Sequence, residues 1–475
     1  MTAEAPYRDL AESAWRWVLD QVRWQDGPWI PEEVGGADVP DIPLERDGTY
    51  VGVGGLAHLL TEIRLSRPWT DEENTLADAI VERVTGGIAD STDCTYFDGL
   101  VSSIGVLTAL GASGPAAAAV GRLLELAAPD GWPQTLLGPP TYLPGARFND
   151  LTLGAAGVLL GALWARRHGV DGACELSDHA AQVLLAEAEH LPTGTNWPFV
   201  AKRFRPEGAE GTQMPNLSHG VAGVSAAVAL ASAELDRPDL AAAARSGAEH
   251  LVSLGMTDGR GFVVPRYIPS DATDEDEFTF TWCHGAAGTS LLFLALDQAG
   301  IEEVRGVPPL TWHQRSLHSV RTSGLPERLH PGFWDNDGRC CGTAGVGDIF
   351  LDSWQRAGDQ QDLDFAVRLA DALVERAFVD GPHAYWRFVE HRAPEPLLQP
   401  RVGWMQGAAG IAAYLFRTGR VLADGSEAES LPRMETWFAL PSAGAERAVS
   451  GSPAPHSAAP HFGGGQEGGG AGPVG

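Results

Sequence analysis

The sequence predicts an all-α fold, an α/α toroid (barrel) of seven helical hairpins, with an inner ring of buried helices and an outer ring of amphipathic ones. A Gly-x-x-Gly step, or a small-residue variant of it, followed by an apolar run occurs seven times in the 475 residues, from Gly52, Gly99, Gly154, Gly220, Gly285, Gly342 and Gly407. Successive starts lie 47, 55, 66, 65, 57 and 65 residues apart, room for two helices and their loops in each unit. The runs after the steps, such as "GVAGVSAAVAL" and "GAAGTSLLFLAL", are apolar nearly all round, as expected of helices buried on every side. The segments between them, such as "TDEENTLADAIVERVTGG", carry charge on one face. A closed ring with the apolar helices inside satisfies this alternation.

Taken in order, residues 1–49 read as an amphipathic N-terminal helix and a lead-in packed on the barrel, and residues 50–441 as the barrel itself. Residues 100–121 contain no charge over roughly the span of a bilayer. The internal "GASGP" divides them better into a helix, a turn and the start of another helix, so no membrane span is expected. The stretch 191–216 has no assignment from the sequence, a loop beside the pocket mouth that touches substrate being the one reading offered for it. From Ser442 the Gly, Pro, Ala and Ser mixture is unable to bury a core and reads as a disordered tail, residues 442–475, in which His456 and His461 are incidental.

Apolar residues make up 44% of the chain, enough for a large core. Sixty-two acidic against 33 basic residues give a formal charge of −29, which repels phosphate backbones and argues against a nucleic-acid partner. Five cysteines without dense spacing fit a reducing compartment, and the N-terminus lacks the apolar run of a signal peptide. The expected location is cytoplasmic.

Helices from equivalent places in a repeat run the same way, so all seven Gly steps are expected at one end of the barrel. Their N–H groups would be left free there, and the residues flanking the steps would converge on one pocket. In the first, second and seventh copies the step reads as close helix packing alone. The other four are preceded by chemistry: Asp150 lies four residues before Gly154, His219 immediately before Gly220, Cys283 two before Gly285, and Cys340 and Cys341 two and one before Gly342. Three thiolates around one point are the ligand set of a zinc site whose fourth position is left to water or substrate. Imidazole gives and accepts a proton near neutral pH, which suits His219 to proton transfer. Asp150 reads as a base, an orienting partner for His219 or a helix cap. His284 reads as a competing ligand or a neighbouring wall residue. Cys94 and Cys174 have no such placement and read as structural.

With "SHGVAG", "WCHGAAG" and the "CCG" step in seven Gly-containing repeats, the sequence resembles the lanthionine synthetase C family, the cyclases that make thioether rings in lanthipeptides, from about Tyr50 to about Arg417. The resemblance implies an α/α toroid whose central zinc is held by Cys283, Cys340 and Cys341, with His219 handling protons and Asp150 assisting. The sequence departs from the family's usual Cys-His-Gly in having Cys-Cys-Gly, a variant resembling that of some bifunctional members fused to a dehydratase. No dehydratase portion can be placed here, so a separate enzyme is expected to supply the dehydrated precursor peptide.

The expected reaction is zinc-dependent addition of a peptide Cys thiolate to dehydroalanine or dehydrobutyrine in the same peptide. Addition of an external thiol such as glutathione uses the same chemistry without a ring. A non-catalytic peptide-binding scaffold with a structural zinc is the reading from another class. A prenyltransferase or terpene-cyclase type of α/α barrel is disfavoured by the lack of an Asp-rich pyrophosphate motif.

Overall fold

In the computed structural model, each inner helix begins where the chain folds back tightly on that helix's own first turn. The structure describes residues 5–35, 42–134, 141–208, 211–269, 277–327, 336–390 and 395–441. The expected tail, 442–475, lies outside the described residues.

After α1 (Ala5–Asp20) the helices come in pairs: α2 (Gly55–Ser66) with α3 (Asp71–Gly87), α4 (Leu100–Ala109) with α5 (Ser113–Leu126), and α6 (Ala155–Arg167) with α7 (Ala173–Ala186). Then come α8 (Val221–Glu234) with α9 (Pro238–Leu254), α10 (Ala286–Gln298) with α11 (Pro309–Arg321), α12 (Thr343–Ala357) with α13 (Gln360–Arg376), and last α14 (Ala408–Asp424). Short strands pair as two-stranded antiparallel hairpins in the connecting loops. The even-numbered helices are the inner ring. In α8 every residue from Val221 to Ser232 is buried, whereas α13 buries one stripe around Phe365, Leu369 and Leu373. The charge-free stretch 100–121 is divided between α4 and α5, and no described helix is long and apolar enough to cross a membrane.

Helix α14 packs on α2, which closes the inner ring, and α1 lies along α14 as the seventh outer helix. Its flanks are fixed by polar contacts to both outer neighbours. The Tyr7 hydroxyl donates to Asp371 of α13 at 2.6 Å, and the Trp15 indole donates to Glu73 of α3 at 2.6 Å. Helix α1 thereby bridges the outer helices of the first and sixth pairs across the closure of the ring.

The expectation that the inner helix starts leave their N–H groups free is not met. Each first turn donates to a carbonyl seven residues back, as in Ala155 N–H to Phe148 O at 3.0 Å, Ala286 to Thr279 at 3.2 Å and Thr343 to Asn336 at 3.1 Å. This fold-back explains the glycines. A Cβ on Gly288 would stand 1.7 Å from the Trp282 carbonyl oxygen, and one on Gly345 would stand 1.8 Å from that of Arg339. Only a residue without a side chain lets the backbone approach so closely. Cys283 and Cys340 directly follow those two carbonyls in sequence.

The fold-back loops are tied to one another around the whole toroid. Met405 N–H donates to Tyr50 O (3.1 Å), Cys340 to Met405 (2.9 Å), Cys283 to Cys340 (3.3 Å), Ser218 to Cys283 (3.1 Å) and Thr152 to Ser218 (3.3 Å). Tyr96 donates to Thr152 (2.9 Å) and Thr49 to Phe97 (2.6 Å), each a residue out of register with the rest. Every repeat contributes the residue two before its Gly step. The result is a cyclic ladder of main-chain bonds at one end of the barrel.

Further along the barrel the interior is ionic. Arg417 bonds Asp348 at 3.0 Å and Asp352 at 2.6 Å, Arg433 bonds Asp348 and Glu62 at 2.7 Å each, and Arg420 bonds Glu62 at 2.7 Å. Arg339, next to Cys340, bonds Asp348 at 2.5 Å. Burial alone would push the Asp348 carboxyl up, but Arg433, Arg339 and Arg417 outweigh it and hold it well below the usual carboxylate range. Arg433 belongs to the segment after α14, whose turn Trp437–Ala439 packs against α10 and α12. Removing one partner of a buried ion cluster strands the others. Replacing Arg433 with Met should therefore cost about 3–5 kcal/mol, read by urea unfolding. A loss below about 1 kcal/mol would mean that the network only fills space.

Candidate metal centre

The main-chain ladder sets the residues before the Gly steps around one cavity of about 270 Å³. Its lining includes Cys283, Cys340, Cys341, His219 and His284, together with Tyr50, Asp98 and Trp282. The structure thus brings together the three cysteines and the histidine that the sequence singles out, from the loops leading into α8, α10 and α12.

All three cysteines are buried and unbonded. Cys283 Sγ lies 3.1 Å from Cys341 Sγ, which lies 3.4 Å from Cys340 Sγ, and the three sulfurs fall within 4.8 Å of one another. A disulfide would require about 2.05 Å. Bonds of about 2.3 Å to a tetrahedral zinc ion space sulfurs about 3.8 Å apart, so small side-chain rotations suffice to accommodate one. The donor set fits a thiophilic ion, and no other His, Asp or Glu among the described residues joins the group. The adjacent pair reaches a common point because it sits in the fold-back loop rather than on a helix.

The sulfurs are electrostatically unequal. Burial pushes the Cys283 thiol up, but hydrogen bonds from Cys340, Cys341 and His284 outweigh it and hold the group well below the ordinary thiol range. Bonding to Cys283 pushes the Cys340 thiol up, while burial, followed by the same partner, pushes up Cys341. The Tyr50 phenol is raised by burial, by the nearby sulfurs and by its hydrogen bond to Cys340.

Across the cavity, His219 Nδ1 is 2.8 Å from Asp150 Oδ2 and 3.0 Å from the Thr152 hydroxyl, which donates to the same carboxylate oxygen at 2.8 Å. Asp150 is 1% exposed and also receives Leu153 N–H at 3.3 Å. Asp150 thus contacts His219, as an orienting partner would, and caps the turn that ends at Leu153, while Gly154 occupies the N-cap of α6. A carboxylate against Nδ1 favours the tautomer that carries its proton there, so Nε2 is the other nitrogen of the ring. His284 stands between the two halves, next to Cys283 in the chain and with its ring 5.3 Å from that of His219. It forms part of the wall and is not among the clustered ligand atoms. Cys94 is buried away from the cluster, its thiol pushed up to about 12 chiefly by burial, and Cys174 is exposed.

Two lining residues come from copies read as packing alone. Tyr50 and Asp98 precede Gly52 and Gly99 by two and one residues, the same register as Cys283 and His219. Applying that register to all seven copies would have found them. Asp98 has one buried carboxylate oxygen without a hydrogen-bond partner, and burial, Asp93 and Glu45 push its carboxyl up to about 7. The protonated form is favoured in the fold, so its stabilising contribution is complete below the ordinary value of 3.8 and is lost as pH rises towards 7. The Asp98→Asn protein should gain on the wild type by up to about 1.4 kcal/mol per pH unit through that window. Parallel unfolding curves at pH 4, 5.5 and 7 would exclude a buried, raised carboxyl.

A sequence profile described as "Lanthionine synthetase C-like protein" matches residues 44–421. No curated protein matches the chain by sequence. Among solved structures, nisin cyclase superposes with a TM-score of 0.55 at 13% identity, covering 83% of this chain and 93% of its own. An α-mannanase from Bacteroides thetaiotaomicron gives 0.45 at 13% identity over 88% and 97% of the two chains. A sugar epimerase from a ruminal bacterium gives 0.45 at 9% identity over 89% and 98%.

Proposed function

The chain belongs to the lanthionine synthetase C-like family, and from that premise we propose that it is a zinc-dependent cyclase closing thioether rings in a dehydrated precursor peptide. The observation that carries this reading is the pairing, across one cavity, of three clustered thiols with a carboxylate-oriented histidine.

Cys283, Cys340 and Cys341 would hold the zinc ion, which when bound lowers the pKa of a peptide thiol so that thiolate is available at neutral pH. The cavity holds the reacting ends of one flexible peptide together, which supplies the proximity term. The peptide thiol gives its proton to solvent, its sulfur bonds to the β-carbon of dehydroalanine or dehydrobutyrine, and the C=C π pair moves towards the adjacent carbonyl. His219, held through Nδ1 by Asp150 and Thr152, delivers a proton from Nε2 to the α-carbon. His219 regains its proton from solvent, so one S–H bond and one C=C π bond are exchanged for one S–C and one C–H bond, without change of mass. Three thiolates give the centre one negative charge more than two thiolates and an imidazole, which favours a more nucleophilic substrate sulfur. The dehydrated residues come from a separate dehydratase, and the proposed setting is the cytoplasm.

Cys340→Ala should lose bound zinc and ring formation together, scored by metal analysis and by blocking residual peptide thiols before mass spectrometry. Full cyclisation by a metal-free variant would end this account. His219→Ala should retain the metal while ring closure slows about 10²–10⁴-fold. Unchanged turnover would remove the histidine from the mechanism. Glutathione supplied beside a dehydrated peptide should leave the intramolecular product dominant; a glutathione adduct as the main product would favour external thiol addition.

A further inference from the structure

The cavity is walled on the His219 side by a second apolar cluster, separate from the barrel core. It is built of Ala146, Phe148 and Val200, with Tyr142, Leu153, Phe199 and Phe204 packed around them. Leu153 belongs both to this cluster and to the lining of the cavity, so the two are continuous. Its rings form an arc. Tyr142 lies 6.2 Å from Phe148, Phe148 stacks on Phe199 at 4.6 Å, and Phe199 meets the His219 ring edge-on at 5.7 Å. From His219 the arc continues through His284 at 5.3 Å to Tyr267 at 6.4 Å.

Main-chain bonds hold the arc rigid. Asn149 N–H donates to Phe199 O at 3.1 Å, Leu143 to Phe204 O at 2.8 Å, and Gln213 and Ile268 exchange two bonds at 2.9 and 2.8 Å. Tyr142, Phe199 and Tyr267 are only partly buried. The segment over the arc, "FVAKRFR" at 199–205, places three cations in seven residues of a chain carrying −29. Arg203 is paired with Glu187 and Asp130, whereas Lys202 is exposed with no ion-pair partner among the described residues.

We propose that this rim is the docking strip for the substrate peptide and sets which sequences reach His219. An apolar or aromatic residue flanking the dehydrated one lies against Phe199, and acidic residues further along the peptide meet Lys202. This inference rests on the peptide-cyclase reading. Ring faces accept many apolar side chains, which suits a strip that must hold one peptide in more than one register. Charge complementarity selects an acidic occupant, because the rest of the surface repels one.

The test uses the full zinc-loaded chain and fluorescent twelve-residue peptides bearing one dehydroalanine and one Cys. The parent peptide has Phe beside the dehydroalanine and a Glu triplet at one end; one control replaces Phe with Ala, and another replaces Glu with Lys. Anisotropy should show the parent bound at least fivefold more tightly than either control. Phe199→Ala should abolish the preference for Phe, and Lys202→Glu should reverse that between Glu and Lys, with zinc content unchanged in both. Lys202 is exposed, so its variant stays informative if Phe199→Ala fails to fold. Wild-type affinities and preferences in both variants would overturn the strip, as would wild-type protein that binds none of the peptides. Discriminating binding without ring formation from any peptide would uphold the strip and reject the cyclase reading instead.

Discussion

The cyclic ladder of main-chain hydrogen bonds through Tyr50, Phe97, Thr152, Ser218, Cys283, Cys340 and Met405 is the constraint from which the site follows. Side chains at distant points of a sequence converge only if their backbones are held at a common level. Here each loop is bonded to the next around the toroid. Cys283 and Cys340 are consecutive members of the ladder, so their sulfurs are neighbours by construction, and Cys341 follows without a further device. Ser218 and Thr152 are the members on either side of the Asp150 and His219 contact. One repeated bond therefore positions both halves of the cavity.

The glycines are the condition for that ladder. The carbonyls of Trp282 and Arg339 can pass close to the first turns of α10 and α12 only because Gly288 and Gly345 have no Cβ. The ionic core adds a second restraint from inside the barrel. Arg339 reaches from the residue before Cys340 to Asp348, and its guanidinium lies 4.4 Å from the centre of the Trp404 ring. Asp348 also binds Arg417 and Arg433, so the loop carrying two of the three cysteines is anchored through its side chain as well as its backbone. An apolar core of equal volume would stabilise the barrel comparably, but it would not fix the direction of that loop.

The repeat made the toroid legible in the sequence, because its period and the alternation of apolar and amphipathic runs are properties of the chain alone. The cysteines and His219 were legible for the same reason: each keeps a fixed offset from a Gly step. Tyr50 and Asp98 were hidden because a phenol or carboxyl at that offset also suits plain packing and carries no ligand signature. The placing of α1 beside α14 was hidden because nothing local in an amphipathic helix names its partner. Phe199 and Tyr267 lie at no repeat offset at all. They reach the rim through loop pairings such as Gln213 with Ile268, which are long-range contacts without a local pattern. The N–H groups of the inner helices were misjudged because a fold-back bond spanning seven residues leaves no trace in composition.

In the proposed centre a third thiolate in place of an imidazole would add negative charge to a buried cluster, and a buried charge persists only where polar groups meet it. The ladder supplies such groups at the same level. Tyr50, in the first repeat, and His284, in the fifth, line the same cavity as the three sulfurs. Burial pushes the Cys341 thiol up, and Cys283 and Cys340 push it up further, whereas the Cys283 thiol is held down. The three sulfurs are therefore not equivalent donors, although they come from one repeating register. Closing a ring of seven similar units imposes near-symmetry on the backbone. The chemistry depends on how individual residues at two offsets break it.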